Sequence, residues 1–359
     1  MQSDSQGQDR ERERIRARRL EKLRFWRSAC ADGMPVAARY NEVSDAPPLF
    51  FFHGDWDNGG FYMVRLAAEL PCPVIALAPH LDPVPSTVRA MAQDRLPAIL
   101  GAQPDGPYRI GGFCNGALVA YEAARLLIEQ GRAVESVLLV APPSLNARRS
   151  YRVILALAAR WLAAGPDTPA RRHRVVVLMG RLTKLWRLRG YSLADLRTVV
   201  ARKRRLRAAA RARLDPRRAR APADIAAEAA VLHRRRALLS AYEAAVHTYG
   251  PSPVPSRLVV FGTGLGAAGR PGPGYDAAYD GRAWAELCPQ AVCVPVSGDH
   301  YTCIADHASD LARALSLALR AGPEIEAGAG AGTGADTARR GAWFAPVVAP
   351  VPEQARLPG

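Results

Sequence analysis

The sequence contains no apolar run long enough to cross a bilayer, and its cysteines are few. The longest apolar runs lie at 153–159 and 175–179, and both are far shorter than the roughly 20 residues of a membrane-spanning helix. Six cysteines in 359 residues, with no Cys-x-x-Cys pair, argue against a disulfide scaffold and favour free thiols without structural zinc. The amino-terminal residues lack the apolar segment of a secretory signal. We therefore expect a cytoplasmic protein that holds no metal and spans no membrane.

Acidic residues are nearly missing from one segment, residues 148–220. This segment holds 22 Arg and Lys residues against three Asp, whereas the whole chain has a net charge of +16. The rest of the chain is therefore slightly acidic, and the positive charge belongs to one segment rather than to the whole protein. A GC-rich genome raises arginine content without any function, but it does not explain why the charge is concentrated.

Three parts of the chain differ in composition. Residues 1–28 are polar and highly charged, which predicts a solvated amino-terminal arm. Residues 321–359 are rich in Gly, Ala and Pro without periodicity, which predicts a disordered tail. Residues 29–320 have the apolar content of a folded domain, and their number suits one large domain.

Apolar strands alternate with helical segments over most of this central domain. The candidate strands are 47–53, 72–79, 108–112, 134–141, 256–262 and 291–297, and the candidate helices include 60–70, 86–100 and 117–131. We expect Ser86 to cap the second of these helices and Pro97 to kink or end it. The alternation predicts an α/β fold with a mostly parallel sheet, whose site lies beyond the carboxyl ends of the strands.

A mostly helical pattern interrupts this alternation at about residues 142–250. Within it, Ser192-x-x-Asp195 is a candidate capping box for a long basic helix, which is expected to end before Asp215-Pro216. An insertion of this length after one strand usually covers the site. We therefore predict a helical, strongly basic lid.

One short motif between a predicted strand and a predicted helix indicates covalent chemistry. Residues 111–116 read GGFCNG, and a nucleophile between small residues in this position is typical of a nucleophile elbow. The turn would present Cys114 above the sheet at the amino terminus of a helix, where the helix dipole favours a thiolate. A buried structural cysteine is the alternative. The combination of strand, motif and helix favours Cys114 as the nucleophile.

A thiol nucleophile needs a base, and the chain has seven histidines. His300 follows the last predicted strand in VSGDHYTCI (296–304), where an imidazole can reach the elbow. His53 also follows a strand, but we assign it to loop structure. The other five are expected at the surface: His80, His173, His233, His247 and His307. We therefore predict His300 as the base.

An oxyanion hole for acyl transfer needs two backbone N–H groups. The first is expected from Asn115, the residue after the nucleophile. The second is expected from the loop HGDWDNGG (53–60), with Asp55 as the first choice and Gly54 as the next. Only their backbone is implicated.

Three stretches together resemble the thioesterase domains of polyketide and non-ribosomal peptide synthases. They are PYRIGGFCNGALVAYEAARLLIEQG, FFHGDWDNGGFYMVRLAAEL and VSGDHYTCI, and the likeness covers roughly 47–146 and 240–319. The resemblance implies an α/β-hydrolase fold with a helical lid. It also implies that Cys114 takes the place of the usual serine and His300 that of the triad histidine. A minority of the family uses cysteine, so this substitution does not imply inactivity.

The third member of the triad departs from the family pattern. The family usually carries an aspartate just beyond the strand after the elbow helix, where this chain has Ala141. Asn146 is the nearest polar candidate there. The other usual place, after the strand at 256–262, first offers Asp276 and then Asp280. We favour Asp276 slightly over Asn146 as the third member. A Cys–His dyad without a third member is an equal alternative, because a thiol ionises more easily than a hydroxyl.

The resemblance implies that an acyl group passes from a phosphopantetheine thioester onto Cys114. Hydrolysis, cyclisation or transfer would then release it, in polyketide or non-ribosomal peptide biosynthesis, with no cofactor beyond the carrier's arm. One alternative is a cysteine hydrolase of the dienelactone hydrolase kind. The other is a non-catalytic protein that binds a carrier.

The basic lid has several interpretations. It could be a solvated surface, or it could dock an acidic acyl carrier or peptidyl carrier domain or the phosphates of coenzyme A. Contact with an anionic membrane surface is a weaker possibility. Nucleic-acid binding is not expected, because no aromatic residues are interleaved with the arginines at 201–214. The oligomeric state is not indicated.

Overall fold

The structure is a computed structural model. It describes residues 36–41, 45–54, 62–81, 83–188, 222–263, 278–279, 281–300 and 302–320, together with Ala201 and Arg204. The arm at 1–28, the tail at 321–359 and the predicted basic helix between Ser192 and Asp215 lie outside these residues, apart from Ala201 and Arg204, which are helical.

Seven strands form one sheet within the described residues. They are β1 (Ala37–Tyr40), β2 (Leu49–Phe52), β3 (Val74–Leu77), β4 (Tyr108–Phe113), β5 (Val134–Val140), β6 (Arg257–Thr263) and β7 (Val292–Val296). Their order across the sheet is β1-β3-β2-β4-β5-β6-β7. β1 runs antiparallel to β3, and every other neighbouring pair is parallel. The predicted mostly parallel α/β sheet is confirmed.

Helices connect these strands and extend beyond them. In chain order they are α1 (Tyr62–Ala68), α2 (Val88–Ala102), α3 (Asn115–Glu129), α4 (Ser144–Ala147), α5 (Arg149–Ala163), α6 (Pro169–Leu188), α7 (Pro222–His247), α8 (Arg282–Leu287), α9 (Thr302–Ala305) and α10 (Ala308–Arg320).

The central strands are buried on both faces, which explains their unbroken apolar runs. All four residues of β2 are buried, and so are all four of β3. This is the pattern of parallel strands that are covered by helices on both sides. β1 was not predicted, because it is a half-exposed edge strand of sequence AARY that has no apolar run. Edge strands of this kind give a weak sequence signal.

α2 differs from its prediction at both ends. Thr87, rather than Ser86, caps the helix, since its side chain accepts a hydrogen bond from the backbone N–H of Ala90 at 3.0 Å. Pro97 does not end the helix, which continues to Ala102. Leu96 and Ile99, on either side of this proline, are both buried in the core, and their packing holds the helix together across it.

The insertion after β5 is helical in its described parts, α4 to α7. Its last helix is fixed to the sheet domain at its carboxyl-terminal end. The Tyr242 hydroxyl donates a hydrogen bond to the carbonyl of His80 at 2.7 Å, and the Tyr249 hydroxyl donates to the carboxylate of the buried Glu122 at 3.0 Å. The end of α7 and the residues just after it are therefore held against the loop that follows β3 and against α3.

The five cysteines in the described part of the chain are buried, and none forms a disulfide. In the same residues, no helix has the length and apolar character needed to cross a membrane.

Candidate active site

Cys114 lies at a sharp turn between β4 and α3. Its backbone has φ 55° and ψ −128°, and it is the N-cap residue of α3. A non-glycine residue with positive φ is uncommon and carries strain that the surroundings must hold. The turn is held by two hydrogen bonds: the Cys114 N–H donates to the carbonyl of Val140 at 2.9 Å, and its carbonyl accepts from Ala117 at 3.1 Å. This is the geometry of a nucleophile elbow.

Two glycines allow the backbone to close around this turn. A Cβ on Gly112 would lie 2.7 Å from the carbonyl oxygen of Gly116. A Cβ on Gly116 would lie 2.4 Å from the carbonyl oxygen of Phe52. Both distances are shorter than any real Cβ contact, so only glycine fits at either position. The small residues of the GGFCNG motif are therefore a steric requirement of the elbow.

The loop that carries His300 connects β7 to α9. Gly298 has φ +83°, and a Cβ there would lie 2.6 Å from the hydroxyl of Thr302. Asp299 closes the loop, because its carboxylate accepts hydrogen bonds from the backbone N–H of Thr302 at 2.8 Å and from its hydroxyl at 3.0 Å. Gly298 and Asp299 thus fix the backbone just before the imidazole.

The structure brings Cys114 and His300 together, although 186 residues separate them in the chain. Nε2 of His300 lies 3.1 Å from Sγ of Cys114. The two residues are 8% and 7% exposed, so the pair is shielded from bulk solvent. A buried thiol in hydrogen-bond contact with an imidazole can pass its proton to that ring.

Two aromatic rings cover the faces of the His300 imidazole. The Tyr279 ring is stacked on it, with centroids 3.7 Å apart and planes inclined by 22°. The Phe113 ring is also stacked, with a centroid distance of 5.2 Å and an inclination of 19°. Phe113 is the last residue of β4 and directly precedes Cys114, and Tyr279 comes from the loop before α8. Sequence reasoning missed Tyr279, because nothing in its local pattern marks a stacking role.

The candidate oxyanion donors are described only in part. Asp55 lies outside the described residues. Gly54, the second choice, lies against the elbow: a Cβ there would be 2.0 Å from the carbonyl oxygen of Phe113 and 2.9 Å from the backbone N of Asn115. The loop after β2 and the first turn of α3 therefore meet beside Cys114. This is where two N–H groups can converge on one oxygen.

Asn146, one candidate for the third triad member, serves as a tether of the insertion. It is 4% exposed, and its side-chain amide donates hydrogen bonds to the carbonyls of Val246 and Tyr249, both at 2.8 Å. These bonds join α4 to the end of α7. They commit the Asn146 Nδ2 group to the backbone rather than to His300.

Asp276 and Asp280, the other acidic candidates, lie outside the described residues. Ala278 and Tyr279, which lie between them in the chain, are described, and both contact residues at the site. The Ala278 carbonyl accepts a hydrogen bond from the backbone N–H of Ser144 at 2.7 Å, and Tyr279 stacks on His300.

A second cluster of ionisable groups lies beneath the loop after β2. His53 is 5% exposed, and burial together with the nearby Arg95 lowers its pKa to about 4. Burial, then Arg95, also lowers the pKa of His80 to about 4, although a hydrogen bond to Asp94 opposes the shift. The expectation that His80 lies at the surface was wrong, because α7 covers it through Tyr242.

A small cavity of about 10 Å³, the size of one water, lies within this cluster. Phe52, His53, His80, Arg95, Gly116 and Tyr242 are among the residues that line it. Within the described ranges, no group of three or more His, Cys, Asp or Glu side chains is arranged to hold a metal ion.

Curated relatives match parts of this chain. The polyketide synthase PksR of Bacillus subtilis (strain 168) is 31% identical over 113 residues, which are 30% of this chain and 4% of that protein. A non-reducing polyketide synthase, crz7 of Cladonia metacorallifera, is 37% identical over 83 residues, or 23% of this chain and 4% of that protein. The indigoidine synthase of Streptomyces lavendulae is 32% identical over 96 residues, or 23% of this chain and 8% of that protein. The chain thus spans less than a tenth of the length of these relatives.

Among solved structures, the NocB thioesterase domain in covalent complex with a fluorophosphonate nocardicin G analog is similar to this chain. The identity is 23%, the TM-score is 0.48, and the alignment covers 79% of this chain and all of that one. The family model described as the thioesterase domain matches residues 47–318, which include every strand from β2 to β7 and both Cys114 and His300. The chain therefore belongs to the thioesterase domain family, with an α/β-hydrolase fold, and its class of activity is hydrolysis of thioesters.

Proposed function

We propose that this chain accepts an acyl group from a carrier-bound phosphopantetheine thioester onto Cys114 and then releases it. One observation carries the proposal: Nε2 of His300 lies 3.1 Å from Sγ of Cys114, at an elbow beside the loop after β2. The relatives named as polyketide and indigoidine synthases support polyketide or non-ribosomal peptide biosynthesis as the setting. The cysteines, sparse and all buried where described, suit a cytosolic location.

The first half-reaction is thioester exchange. His300 takes the proton of the Cys114 thiol, and the thiolate attacks the carbonyl carbon of the substrate thioester. The oxygen becomes an oxyanion, which the N–H of Asn115 and an N–H of the loop after β2, from Asp55 or Gly54, would stabilise. The intermediate then expels the pantetheine sulfur, which takes the proton from the His300 imidazolium. One thioester replaces another, so this step is nearly isoenergetic.

The second half-reaction frees the enzyme. His300 takes a proton from water, or from a hydroxyl or amine of the acyl chain or of another acceptor, and the resulting nucleophile attacks the acyl-Cys114 thioester. The cysteine sulfur leaves and recovers its proton from His300. Water gives hydrolysis, a group on the same chain gives cyclisation, and a separate acceptor gives transfer.

We propose Asp276 as the residue that orients His300. It lies three positions before Tyr279 in the chain, and Tyr279 stacks on His300. For Asn146, the two hydrogen bonds that its amide donates to backbone carbonyls support a tethering role in the insertion. A Cys–His dyad is the remaining arrangement, since a thiolate–imidazolium pair needs an orienting acid less than a serine does.

Intact-protein mass spectrometry after mixing with acyl-pantetheine thioesters tests the acyl-enzyme. The expected result is an added acyl mass that maps to Cys114 and is missing from Cys114→Ala. Ring-opening of a lactone in place of thioester turnover would favour the dienelactone hydrolase alternative. A folded wild-type chain that gains no adduct, yet binds a carrier domain, would make it a non-catalytic binding protein.

We further propose that the outer face of α6 docks the carrier domain. Arg174, Leu178, Arg181 and Leu185 fall at i, i+4, i+7 and i+11, so they share one face of the helix. All four are exposed, with Leu178 at 49% and Leu185 at 61%. Alternating cations and leucines suit an acidic partner that also offers an apolar contact.

Salt dependence tests this docking face, because the Debye length falls from about 10 Å at 0.1 M salt to about 3 Å at 1 M. kcat/KM for a carrier-bound substrate should fall steeply with salt, while the same acyl group on an uncharged pantetheine should respond little. Replacing Arg174 and Arg181 with Glu should reproduce the loss for the carrier substrate alone. Equal salt curves would make the charge a solvated surface, and a steep curve for coenzyme A thioesters alone would move the substrate to coenzyme A.

A further inference from the structure

We infer that Tyr279 and Phe113 are positioning residues, which hold the His300 imidazole between two aromatic faces and stabilise its protonated form beside the Cys114 thiolate. The inference depends on the Cys114–His300 pair described above, but not on which acyl group the pair handles. It assigns to an aromatic sandwich part of the task that a carboxylate performs in a Ser–His–Asp triad.

The geometry of the stack limits what the imidazole can do. The Tyr279 and Phe113 rings lie within 22° of parallel to it, at centroid distances of 3.7 and 5.2 Å. A rotation of the imidazole out of its plane would drive its edge into one ring or the other. In the one orientation that the two rings allow, Nε2 of the imidazole lies 3.1 Å from Sγ of Cys114. The ring is thus kept in the orientation that proton transfer requires.

The stack also has an electrostatic effect. The face of an aromatic ring carries negative charge density, which attracts a cation placed over it, and the attraction grows as water is excluded. His300 is 7% exposed, so its faces meet carbon rather than water. Contact with two faces therefore favours the imidazolium over the neutral ring. That preference shifts the proton from the thiol to the imidazole and raises the population of the nucleophilic thiolate.

Other ionisable groups lie close to His300 in the described part of the chain. On its own segment are Asp299, whose carboxylate is engaged with Thr302, and Cys303, whose Sγ lies 3.5 Å from the His300 carbonyl oxygen. Burial raises the pKa of Cys303 to about 12, so that thiol stays neutral near pH 7. From the other elements, Sγ of Cys114 and the hydroxyl-bearing ring of Tyr279 contact the imidazole. A substitution of Tyr279 leaves the two thiols and Asp299 in place, so a change in the pH profile can be assigned to the Tyr279 side chain.

The test is the pH dependence of Cys114 alkylation by iodoacetamide, followed by peptide mass spectrometry. Tyr279→Leu removes the ring, whereas Tyr279→Phe keeps it and loses only the hydroxyl. We expect Tyr279→Leu to slow alkylation at pH 7 by about tenfold and to move the midpoint of the rate profile up by about one pH unit. Tyr279→Phe should stay within about twofold of wild type. Above the midpoint the three proteins should converge on one rate, because the thiol is then ionised without help.

Each departure from this pattern overturns the inference. These departures are an unchanged profile in Tyr279→Leu, an equal slowing at all pH values, and a Tyr279→Phe variant as slow as the leucine variant. Tyr40→Leu, on the edge strand β1, is the matched control and should leave the profile unchanged. Tyr279→Met, an apolar chain without a ring, replaces the leucine variant if that one fails to fold. If alkylation of the wild type depends on His300 but the protein gains no acyl adduct, the proposed thioesterase mechanism is wrong. The inference about Tyr279 and Phe113 is then unaffected.

Discussion

The elbow after β4 and the helical insertion after β5 are packed in opposite ways: the elbow is tightly packed, whereas the insertion leaves apolar side chains exposed. At the elbow, there is no room for one additional carbon atom. A Cβ on Gly54 would lie 2.0 Å from the carbonyl oxygen of Phe113, and a Cβ on Gly116 would lie 2.4 Å from the carbonyl oxygen of Phe52. In the insertion, large apolar side chains point to solvent. Val153 is 51% exposed and Leu157 57% exposed. The backbone of the elbow can therefore adopt only one conformation, whereas the insertion exposes an apolar surface to solvent.

The two regions also treat charge differently. Near the elbow, His300 and His53 are buried, and each lies beside a second ionisable group, Cys114 and Arg95 respectively. In the insertion, residues 148–188 carry ten Arg and Lys against one Asp. Exposed charges at this density contribute little to folding but create a field over the surface. The contrast separates a buried part of the chain, which we propose as the catalytic site, from an exposed, charged part suited to recognition.

Replacement of Cys114, the proposed nucleophile, should have the largest effect on activity. Cys114→Ala should abolish acyl transfer and leave the unfolding free energy close to wild type, because only one sulfur is lost. Cys114→Ser should reduce kcat by about a thousandfold, since a serine hydroxyl ionises far less readily than a thiol. Single-turnover kinetics with an acyl-pantetheine measures this. A serine variant as fast as wild type would show that the site contains a full triad, and would contradict a dyad.

Addition of a single methyl group at the elbow should be the most damaging change to stability. Gly116→Ala forces a Cβ against backbone atoms that cannot move aside, and we expect a loss of at least about 3 kcal/mol in unfolding free energy. The matched control is Gly101→Ala in α2, where a Cβ would meet nothing within 4 Å. That change should add about 0.5–1 kcal/mol, since alanine favours a helix. Urea unfolding separates the two, and equal losses would contradict the steric account.

Much of the elbow could be predicted from the sequence, because its determinants are local. The glycines around Cys114 and the position of His300 after the last strand each follow from a short pattern. The apolar runs of the parallel strands are equally local, and the structure confirms them. The edge strand β1 and the stacking of Tyr279 on His300 could not be predicted this way. Each depends on a partner that is distant in the chain and has no pattern of its own.

The role of Asn146 shows the same limit. Its position after β5 made it a candidate for the site, but the ends of its hydrogen bonds lie a hundred residues later, at Val246 and Tyr249. No feature of the local sequence indicates that the insertion returns there. Burial of His80 has the same origin, since Tyr242 of α7 covers it.

The buried histidines next to the elbow should make stability depend on pH. His53 has a pKa lowered to about 4, so it is neutral in the folded protein, whereas the unfolded chain takes up its proton near pH 6.5. The unfolded state therefore gains stability as the pH falls from 6.5 towards 4. We expect His53 to remove about 2 kcal/mol of unfolding free energy between pH 7 and pH 5.

Urea unfolding across this pH range, compared between wild type and His53→Asn, measures the contribution. The variant should show a shallower loss. His173→Asn, at an exposed position in α6, is the control and should follow the wild-type curve. A His53 variant with the wild-type slope would mean that this histidine is not held neutral.

Substitutions of Asn146 and Asp276 should have different effects, because we expect Asn146 to contribute to stability and Asp276 to catalysis. Asn146→Ala leaves two buried carbonyls without their donor, so we expect a loss of about 2 kcal/mol in unfolding free energy with kcat changed less than about twofold. Asp276→Asn should instead lower kcat by about tenfold and leave stability nearly unchanged. Steady-state kinetics beside urea unfolding gives both quantities. If both variants keep wild-type kcat while His300→Ala is inactive, the site is a dyad.

The smallest effect on stability should come from the outer face of the insertion. Leu178 is 49% exposed on α6, whereas its neighbour Met179 is completely buried. Leu178→Gln should change the unfolding free energy by less than about 0.5 kcal/mol, since it removes little buried surface, while Met179→Gln should cost at least about 2 kcal/mol. If α6 docks a carrier, Leu178→Gln should nevertheless raise KM severalfold for a carrier-bound substrate and leave KM for a pantetheine mimic unchanged. A silent Leu178→Gln in both assays would remove this face from the docking surface, and a large loss of stability would contradict its exposure.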